Sequence, residues 1–139
     1  MDRKETGIAH LLRFPARLDA VSGAMSFAAM ALQQAGLGPG VVARAELILE
    51  ELLRNSILHG HGGDSAHSVW VGVDGARLVY EDEAPAFNPL TQGPPPPDPA
   101  RPIEEQGVGG VGLLLIRQLG SAVAYRYHEG RNRIEIALQ

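Results

Sequence analysis

The sequence contains no cysteine, which excludes a disulfide framework and any chemistry based on a thiolate. No apolar run is long enough to cross a bilayer, and the first residues, MDRKETGIAHLLRF, lack the apolar stretch of a signal peptide. Positive charge is not in surplus either: the net charge is −4 at pH 7, so no general attraction to nucleic acid or anionic lipid is expected. We therefore predict a cytoplasmic protein with no direct nucleic-acid partner and no membrane partner.

The chain is nevertheless long and apolar enough to build a core. It has 139 residues, of which 45% are hydrophobic. A chain of this length forms one domain and buries roughly 70% of the surface that its unfolded form exposes. We predict a single domain over residues 1–139.

Hydrophobic periodicity and turn residues divide the chain into strands and helices. The pattern predicts a strand over 8–14, helices over 18–36, 41–59 and 113–120, a hairpin over 68–82 turning at Asp74–Gly75, and a hairpin over 122–138 turning near Gly130. Helices combined with antiparallel hairpins indicate an α+β fold. We expect a two-layer α/β sandwich, with a mixed, mostly antiparallel sheet and the helices on one face.

Proline is concentrated in one segment. Eight of the ten prolines lie between Pro85 and Pro102. Because proline lacks a backbone donor and has a fixed φ, this segment cannot pair as a strand or continue a helix. Long loops of this kind in compact domains are often lids or binding loops, and we predict a lid at about residues 91–107.

The helix that contains ELILEELLRNSILHG (46–60) places two polar residues on a largely apolar stripe. At about 100° per residue, Glu51 and Asn55 share a stripe that lies between an apolar face and a charged face. The apolar face comprises Val42, Ala45, Leu49, Leu52 and Leu53, the charged face Glu46, Glu50 and Arg54, and the intermediate stripe also holds Leu47, Ile48 and Leu58.

Two interpretations of this stripe are open. In one, Glu51 and Asn55 are boundary residues that reach water. In the other they face a single site, where the Asn55 amide oxygen ligates Mg²⁺ and the Glu51 carboxylate accepts a proton from a water or a hydroxyl. Asparagine is a poor helix former, so its place inside the last two turns is unusual.

The segment GVGGVG (107–112) precedes the last helix. It is not a Rossmann fingerprint, because a proline-rich loop and not a strand comes before it, and the G-K-[ST] of a P-loop is absent. Glycines that open a helix expose backbone N–H groups at the positive end of the helix dipole, which suits a phosphate. The phosphate-binding candidates are Gly107, Gly109, Gly110 and Gly112. The alternative is a hinge or a tight packing turn.

Asp82 lies where the first hairpin ends, in YEDEAPAFNPL (80–90). A carboxylate in this position can accept a hydrogen bond from the 6-amino group of adenine. The alternative is a plain strand-end turn of Asp, Pro and Asn. His59, His61 and His67 are near each other in the sequence, but their spacing is not that of a zinc site, and we do not expect zinc.

Taken in order, these segments resemble those of the GHKL (Bergerat-fold) ATPases, and most closely the stand-alone anti-sigma-factor serine kinases. LLRFPARLDAV resembles the family's opening, AELILEELLRNSILHG its N box, DEAPAFNPL its adenine-binding box and GVGGVGLLLIRQL its second glycine box. The resemblance implies that Glu51 is the catalytic base, that Asn55 binds Mg²⁺ and that Asp82 binds adenine. It also implies ATP-binding positions at Ala84, at Ala86 and at the four glycines named above.

The resemblance further implies an ATP-dependent protein-serine kinase, with ATP and Mg²⁺ as cofactors, in a partner-switching module. Such a kinase binds a sigma factor or another output protein and releases it when a STAS-domain antagonist engages. It then phosphorylates a serine of the antagonist, and a PPM-type phosphatase reverses the reaction. A homodimer is among the assemblies this function allows. A sensor histidine kinase fragment is not expected, because no helix carries a phosphoacceptor histidine in a dimerisation hairpin.

The sequence departs from the family pattern at three positions. Ala84 stands where the family has the glycine of its adenine box, and Ala86 replaces another small or glycine position. Val108 stands where some kinase members carry an arginine near the γ-phosphate, and Arg101, within the predicted lid, is the nearest arginine that can replace it. These departures favour the alternative function, a nucleotide-binding module that switches partners without transferring phosphate.

Overall fold

The computed structural model of the chain describes residues 11–92, 100, 111–119 and 122–139. Over these residues the strands and helices follow the predicted order: β1 (Leu12–Pro15), α1 (Val21–Gln34), α2 (Pro39–Asn55), β2 (Ser68–Asp74), β3 (Arg77–Asp82), α3 (Val111–Leu119), β4 (Val123–His128) and β5 (Arg131–Ala137). A 3₁₀ turn, Leu18–Ala20, leads directly into α1, and a π-helical turn, Ser56–Gly60, follows α2. No described helix is both long enough and apolar enough to cross a membrane.

The strands form one sheet with the spatial order β1-β2-β3-β5-β4. Every described pair is antiparallel, so a parallel pair, which a mixed sheet requires, is not found among them. Alternate strand residues, such as Val71, Leu78 and Ile136, are fully buried in the core that the sheet forms with the helices. The predicted α+β fold, a two-layer sandwich with the helices on one face, is confirmed.

The apolar face predicted for α2 forms the centre of this core. All five of its residues are buried: Val42, Ala45, Leu49, Leu52 and Leu53. The intermediate stripe was predicted only in part. Ile48 is 2% exposed and belongs to the core, whereas Leu47 and Leu58 are 47% and 38% exposed. The physical reason is that Ile48 lies beside Leu52 on the helical wheel, at the margin of the apolar face.

The end of α2 differs from the prediction in its geometry. The helical backbone does extend to Gly60, but the α-helix ends at Asn55 and a wider π turn completes it. Turns of the π type are rare and frequently occur at functional sites. Asn55 therefore occupies the last α-helical position, where the backbone changes its winding.

The first hairpin has its turn one residue later than predicted. Asp74 pairs with Arg77, so the two-residue turn is Gly75–Ala76 and not Asp74–Gly75. Gly75 has a φ of 60°. Among the favoured two-residue turns, type II′ takes glycine at its first position, so the turn forms around this glycine and Asp74 joins the strand.

Other element bounds agree with the prediction to within a few residues. The second hairpin turns at Glu129–Gly130, both of which have positive φ. β1 includes Pro15, which pairs with Ser68, and residues 8–10 of the predicted strand lie outside the described residues. Proline is tolerated here because β1 is an edge strand.

The burial of α2 gives a test of its helical phase. Leu49→Ala should lower the free energy of unfolding by about 2–5 kcal/mol, because the side chain is fully buried and its loss leaves a cavity. Leu47→Ala, on the exposed side, should change it by no more than about 0.5 kcal/mol. Urea denaturation of both variants measures the difference, and equal losses would contradict the assigned faces.

Candidate functional site

Glu51 and Asn55 are hydrogen-bonded to each other at the end of α2. Asn55 Nδ2 donates to Glu51 Oε2 over 3.0 Å, and both side chains are partly buried. The bond fixes the carboxamide, so its oxygen, Oδ1, is turned away from Glu51. Among the described residues no group donates to Asn55 Oδ1. The structure thus brings together a carboxylate and an amide oxygen that is free to take a hard cation.

The first turn of α3 packs directly against this pair. A Cβ atom added at Gly112 would lie 2.2 Å from Glu51 Cβ and 3.1 Å from the carbonyl oxygen of Leu47. Only a residue without a side chain permits such an approach. The amino-terminal end of a helix carries partial positive charge and free N–H groups. Gly112 therefore allows the amino-terminal end of α3 to lie beside Glu51.

Asp82 lies at the end of β3 and is only 6% exposed. Its Oδ1 accepts hydrogen bonds from the Ala84 N–H at 3.1 Å and from Asn132 Nδ2 at 2.8 Å. Its Oδ2 accepts one from the Tyr80 hydroxyl at 2.8 Å. A carboxylate has about four acceptor positions, so Oδ2 retains room for one further donor. The protein donors hold the carboxylate in one orientation.

Tyr80 supports Asp82 from inside the core. Burial raises the pKa of the Tyr80 phenol well above its ordinary value, and the charge of Asp82 raises it further. The phenol therefore remains protonated and acts as a donor. Its hydroxyl oxygen also lies 3.2 Å from the backbone carbonyl of Leu52, which places it between α2 and β3. Tyr80 thus connects the helix of Glu51 and Asn55 to the strand of Asp82.

Asn132 is a site residue that the sequence analysis missed. It is 3% exposed, and its Nδ2 donates not only to Asp82 but also to the carbonyls of Ala84 and Pro85, at 3.0 and 3.1 Å. Its Oδ1 accepts from the backbone N–H of Phe87 at 2.9 Å and from the hydroxyl of Tyr125 at 2.6 Å. The available signal was an asparagine at an inward position of an alternating strand, RNRIEIAL.

Among the remaining predicted site residues, only Ala86 lies within the described part of the chain. Ala86 is exposed. Gly107, Gly109 and Gly110 lie outside the described residues, as do Arg101, Val108 and most of the predicted lid. The described start of that segment is held by Arg117 of α3, which donates to the carbonyls of Pro89 at 3.1 Å and Gln92 at 2.6 Å.

Comparison with protein families shows which family the chain belongs to. A family model described as "Histidine kinase-like ATPase domain" matches residues 14–138, nearly the whole chain. The chain belongs to the histidine kinase-like ATPase family. No curated protein matches it in a search of that set. Membership of this family implies that the domain binds ATP and has an ATP-using activity of the kinase-like type.

The residues of this ATPase domain fit a magnesium nucleotide. Asn55 offers an amide oxygen without a protein partner, and Asp82 keeps one acceptor position. Buried polar groups normally have partners, so these atoms mark a surface that a polar ligand can complete.

The family departure at Ala84 has a steric counterpart at Gly60. A Cβ added at Gly60 would lie 2.6 Å from Ala84 Cβ. The Ala84 methyl is 4% exposed and rests against the glycine that ends the π turn. The Ala84 methyl is therefore packed between the loop after β3 and the end of the π turn. The ATPase domain keeps one methyl where its family pattern has none, and Gly60 provides the space.

Two histidines stack next to this contact. The rings of His61 and His67 are 4.5 Å apart at their centroids and 12° from parallel, and His67 Nδ1 is 3.4 Å from Glu83 Oε1. Burial lowers the pKa of His61, and the neighbouring His67 lowers it further. No group of three His, Cys, Asp or Glu side chains among the described residues is arranged to hold a metal ion.

The contact between Gly60 and Ala84 predicts a rescue by double substitution. Gly60→Ala should destabilise the domain by about 1–3 kcal/mol, because two methyl groups would overlap. Adding Ala84→Gly should recover most of this loss, since it restores the space. Thermal or urea unfolding of the unmodified protein, the two single variants and the double variant gives the coupling energy.

Gly40→Ala is the matched control for this experiment. Gly40 lies in the first turn of α2, and a Cβ there meets no atom within 4 Å. This substitution should be neutral or stabilise by up to about 1 kcal/mol. A double variant no more stable than Gly60→Ala would show that the two residues are not coupled.

Proposed function

We propose that this ATPase domain is an ATP-dependent protein-serine kinase of the anti-sigma-factor type, acting in a partner-switching module. The observation that supports it most is the hydrogen bond between Asn55 and Glu51 beside the first turn of α3. It supports the proposal because an amide oxygen suited to a cation, a carboxylate suited to accept a proton and a helix end suited to an anion lie close together. Phosphoryl transfer needs these three functions more than it needs covalent chemistry by the protein.

Each part of the nucleotide has a matching group. Asp82, with its remaining acceptor position, is suited to the exocyclic amino group of adenine. The N–H groups at the start of α3, next to Gly112, are suited to phosphate oxygens. Asn55 Oδ1 is suited to Mg²⁺, which takes one or two protein ligands and completes its shell with water and phosphate. When bound, the ion would neutralise phosphate charge.

Glu51 is the proposed general base. Its carboxylate is partly buried, and Asn55 fixes the position of one of its oxygens. The second oxygen remains to accept the proton from the hydroxyl of a serine substrate. The bond from Asn55 thus orients the base and the cation ligand with one contact, so neither side chain needs to reorganise during the reaction.

The proposed partners follow from the resemblance of the sequence to the anti-sigma-factor serine kinases. They are a sigma factor or another output protein, which the domain sequesters, and a STAS-domain antagonist, whose serine it phosphorylates. A PPM-type phosphatase would act on the phosphorylated antagonist. We place this module in the cytoplasm, and a homodimer is compatible with it.

A second function is favoured by specific residues. Ala84 and Val108 depart from the pattern of active kinases, and Glu51 has one oxygen already occupied by Asn55. A nucleotide-gated binding module needs the contacts of Asn55 and Asp82 but no proton acceptor. Both functions require ATP binding, but only the kinase transfers phosphate. An ATP-binding assay and a phosphate-transfer assay on the same protein therefore distinguish them.

ATP with Mg²⁺ should stabilise the domain, and Asp82→Asn should remove much of that effect. Nucleotide at 100 times its dissociation constant adds about 2.7 kcal/mol to the free energy of unfolding. Asp82→Asn loses the charge that strengthens its hydrogen bonds to donors. Asp74→Asn is the control, because Asp74 is exposed at the distant hairpin turn.

The measurement is the melting temperature with and without ATP, Mg²⁺ and EDTA, supported by calorimetric titration of each variant below its melting point. EDTA should abolish most of the shift. The absence of a shift at millimolar nucleotide would refute ATP binding. A normal affinity in Asp82→Asn would refute the adenine assignment alone.

Glu51→Ala should reduce phosphate transfer far more than it reduces ATP affinity, because it removes the base and only loosens the orientation of Asn55. General-base catalysis contributes roughly 10² to 10⁴ in rate, and a carboxylate near phosphates repels them. Glu50→Ala, one residue earlier on α2, should have little effect, because the Glu50 side chain points to another side of the helix.

The assay is transfer of labelled phosphate from ATP to the purified STAS-domain antagonist. Loss of transfer in Glu50→Ala and not in Glu51→Ala would show that the base is Glu50 and that the assignment to Glu51 is wrong. If the unmodified protein binds ATP but transfers no phosphate, the binding module replaces the kinase as the function.

A further inference from the structure

The face of the sheet that points away from the helices carries a row of large polar and aromatic side chains, of which Glu81 and Arg133 are buried and the others are at least partly exposed. Cross-strand pairing places five residues in line across all five strands: Arg13, Trp70, Glu81, Arg133 and Arg126. Directly paired residues point to the same side of a sheet, and the residues before and after each of them point to the core. The row therefore lies on the side opposite the Asp82 carboxylate.

Positive charge predominates on this face. Its strand residues include more arginines (Arg13, Arg77, Arg126, Arg131 and Arg133) than carboxylates (Asp74, Glu81 and Glu135). The whole chain has a net charge of −4. A cationic face on an acidic protein is a local concentration of charge, which creates a field that attracts anionic groups.

The carboxylates in the middle of the face are already engaged. Arg133 Nη1 forms a short ion pair with Glu81 Oε2, and Arg133 Nε donates to Glu135 Oε2 at 2.8 Å. Glu81 Oε1 also pairs with Arg131 at 3.2 Å, and Glu135 Oε1 with Arg77 at 3.4 Å. Two carboxylates are thus shared among three arginines. Both oxygens of each carboxylate are already paired, so neither carboxylate can neutralise a further cation.

The arginines at the two ends of the row have no such partner. Arg13 and Arg126 are exposed, and no carboxylate lies within ion-pair distance of either in the part of the chain that the structure describes. Arg126 is directly opposite Arg133, and like charges in that relation destabilise a sheet. Four strand spacings of about 4.8 Å separate the two ends, a span of roughly 19 Å.

An aromatic ring lies between these two cations. Arg131 Cζ is 3.6 Å from the centroid of the Trp70 ring, a cation–π contact that presents a flat surface. Trp70 remains partly exposed beneath it. Tryptophan and arginine are the side chains most enriched where protein interfaces gain their binding energy.

We propose that this face is a docking surface for an acidic segment of a partner protein. Arg13 and Arg126 would each pair with a carboxylate of the partner, about 19 Å apart, and the Trp70–Arg131 stack would carry the contact between them. The surface is on the other side of the sheet from the nucleotide. A partner can therefore bind there without entering the nucleotide site.

A protein segment suits the face better than nucleic acid does. Binding to a phosphate backbone commonly uses 6–10 cationic contacts, whereas this face has two unpaired arginines at its ends. Carboxylates also lie within the face, and they would repel a continuous line of phosphates. Separate carboxylates at two points, with an apolar contact between, match its charge pattern.

The only tryptophan of the chain belongs to the row, beside Arg13, so its fluorescence reports on this face. The probe is a peptide with a glutamate cluster at each end and apolar residues between the clusters, titrated at low salt into the full chain. We expect a saturable change in Trp70 emission, reduced by salt. Arg13→Glu with Arg126→Glu should raise the dissociation constant by about tenfold or more, and the milder pair Arg13→Gln with Arg126→Gln should raise it less.

The matched control is Arg44→Glu with Arg54→Glu, which makes the same change in net charge at exposed positions of α2. It should retain most of the binding. Equal weakening in both pairs, or no response of Trp70, would overturn the proposal, and so would tighter binding of a DNA duplex than of the peptide. The melting-temperature shift with ATP should be unchanged in all variants, so failure here is distinguishable from failure of the proposed function.

Discussion

The contact between Asp82 and Asn132 fixes both the orientation of a buried carboxylate and the path of the loop that follows β3. A carboxylate that is 6% exposed is costly to bury unless its oxygens are hydrogen-bonded. Asn132 meets part of this requirement and, with the same amide, holds the carbonyls of Ala84 and Pro85. The loop after β3 is therefore held in position by a residue of β5. Tyr80, in the core, donates to the other oxygen of the Asp82 carboxylate. One amide and one phenol orient the carboxylate without neutralising it.

Much of the fold was predictable because its determinants are local. Alternation identified both hairpins, and the 3.6-residue period identified the buried face of α2, with Ile48 as the exception at its margin. The first turn was misplaced by one residue because Asp74–Gly75 and Gly75–Ala76 both satisfy the local rule, and the strand register decides between them. In the site, the spacing of Glu51 and Asn55 was enough to predict that they face one place, and the structure shows them in contact.

The missed parts of the site are contacts between distant segments. Asn132 lies 50 residues from Asp82, and nothing local to RNRIEIAL indicates what its amide meets. The fit of Gly60 against Ala84 and of Gly112 against Glu51 also depends on how separate elements pack. A glycine in the sequence signals either a turn or a close approach, and only the folded chain tells which. The charge row is of the same kind, since its members come from all five strands.

The long sequence separation of Asp82 and Asn132 has a consequence for the order of folding. Local structure, such as α2 and the hairpin of β2 and β3, needs only short loops to close, but β5 must return across the whole intervening chain to pair with β3. Until it does, the Asp82 carboxylate lacks its amide donor and the loop after β3 lacks its anchor. This end of the sheet therefore lacks its final hydrogen bonds until β5 has paired with β3, whatever local structure has formed before.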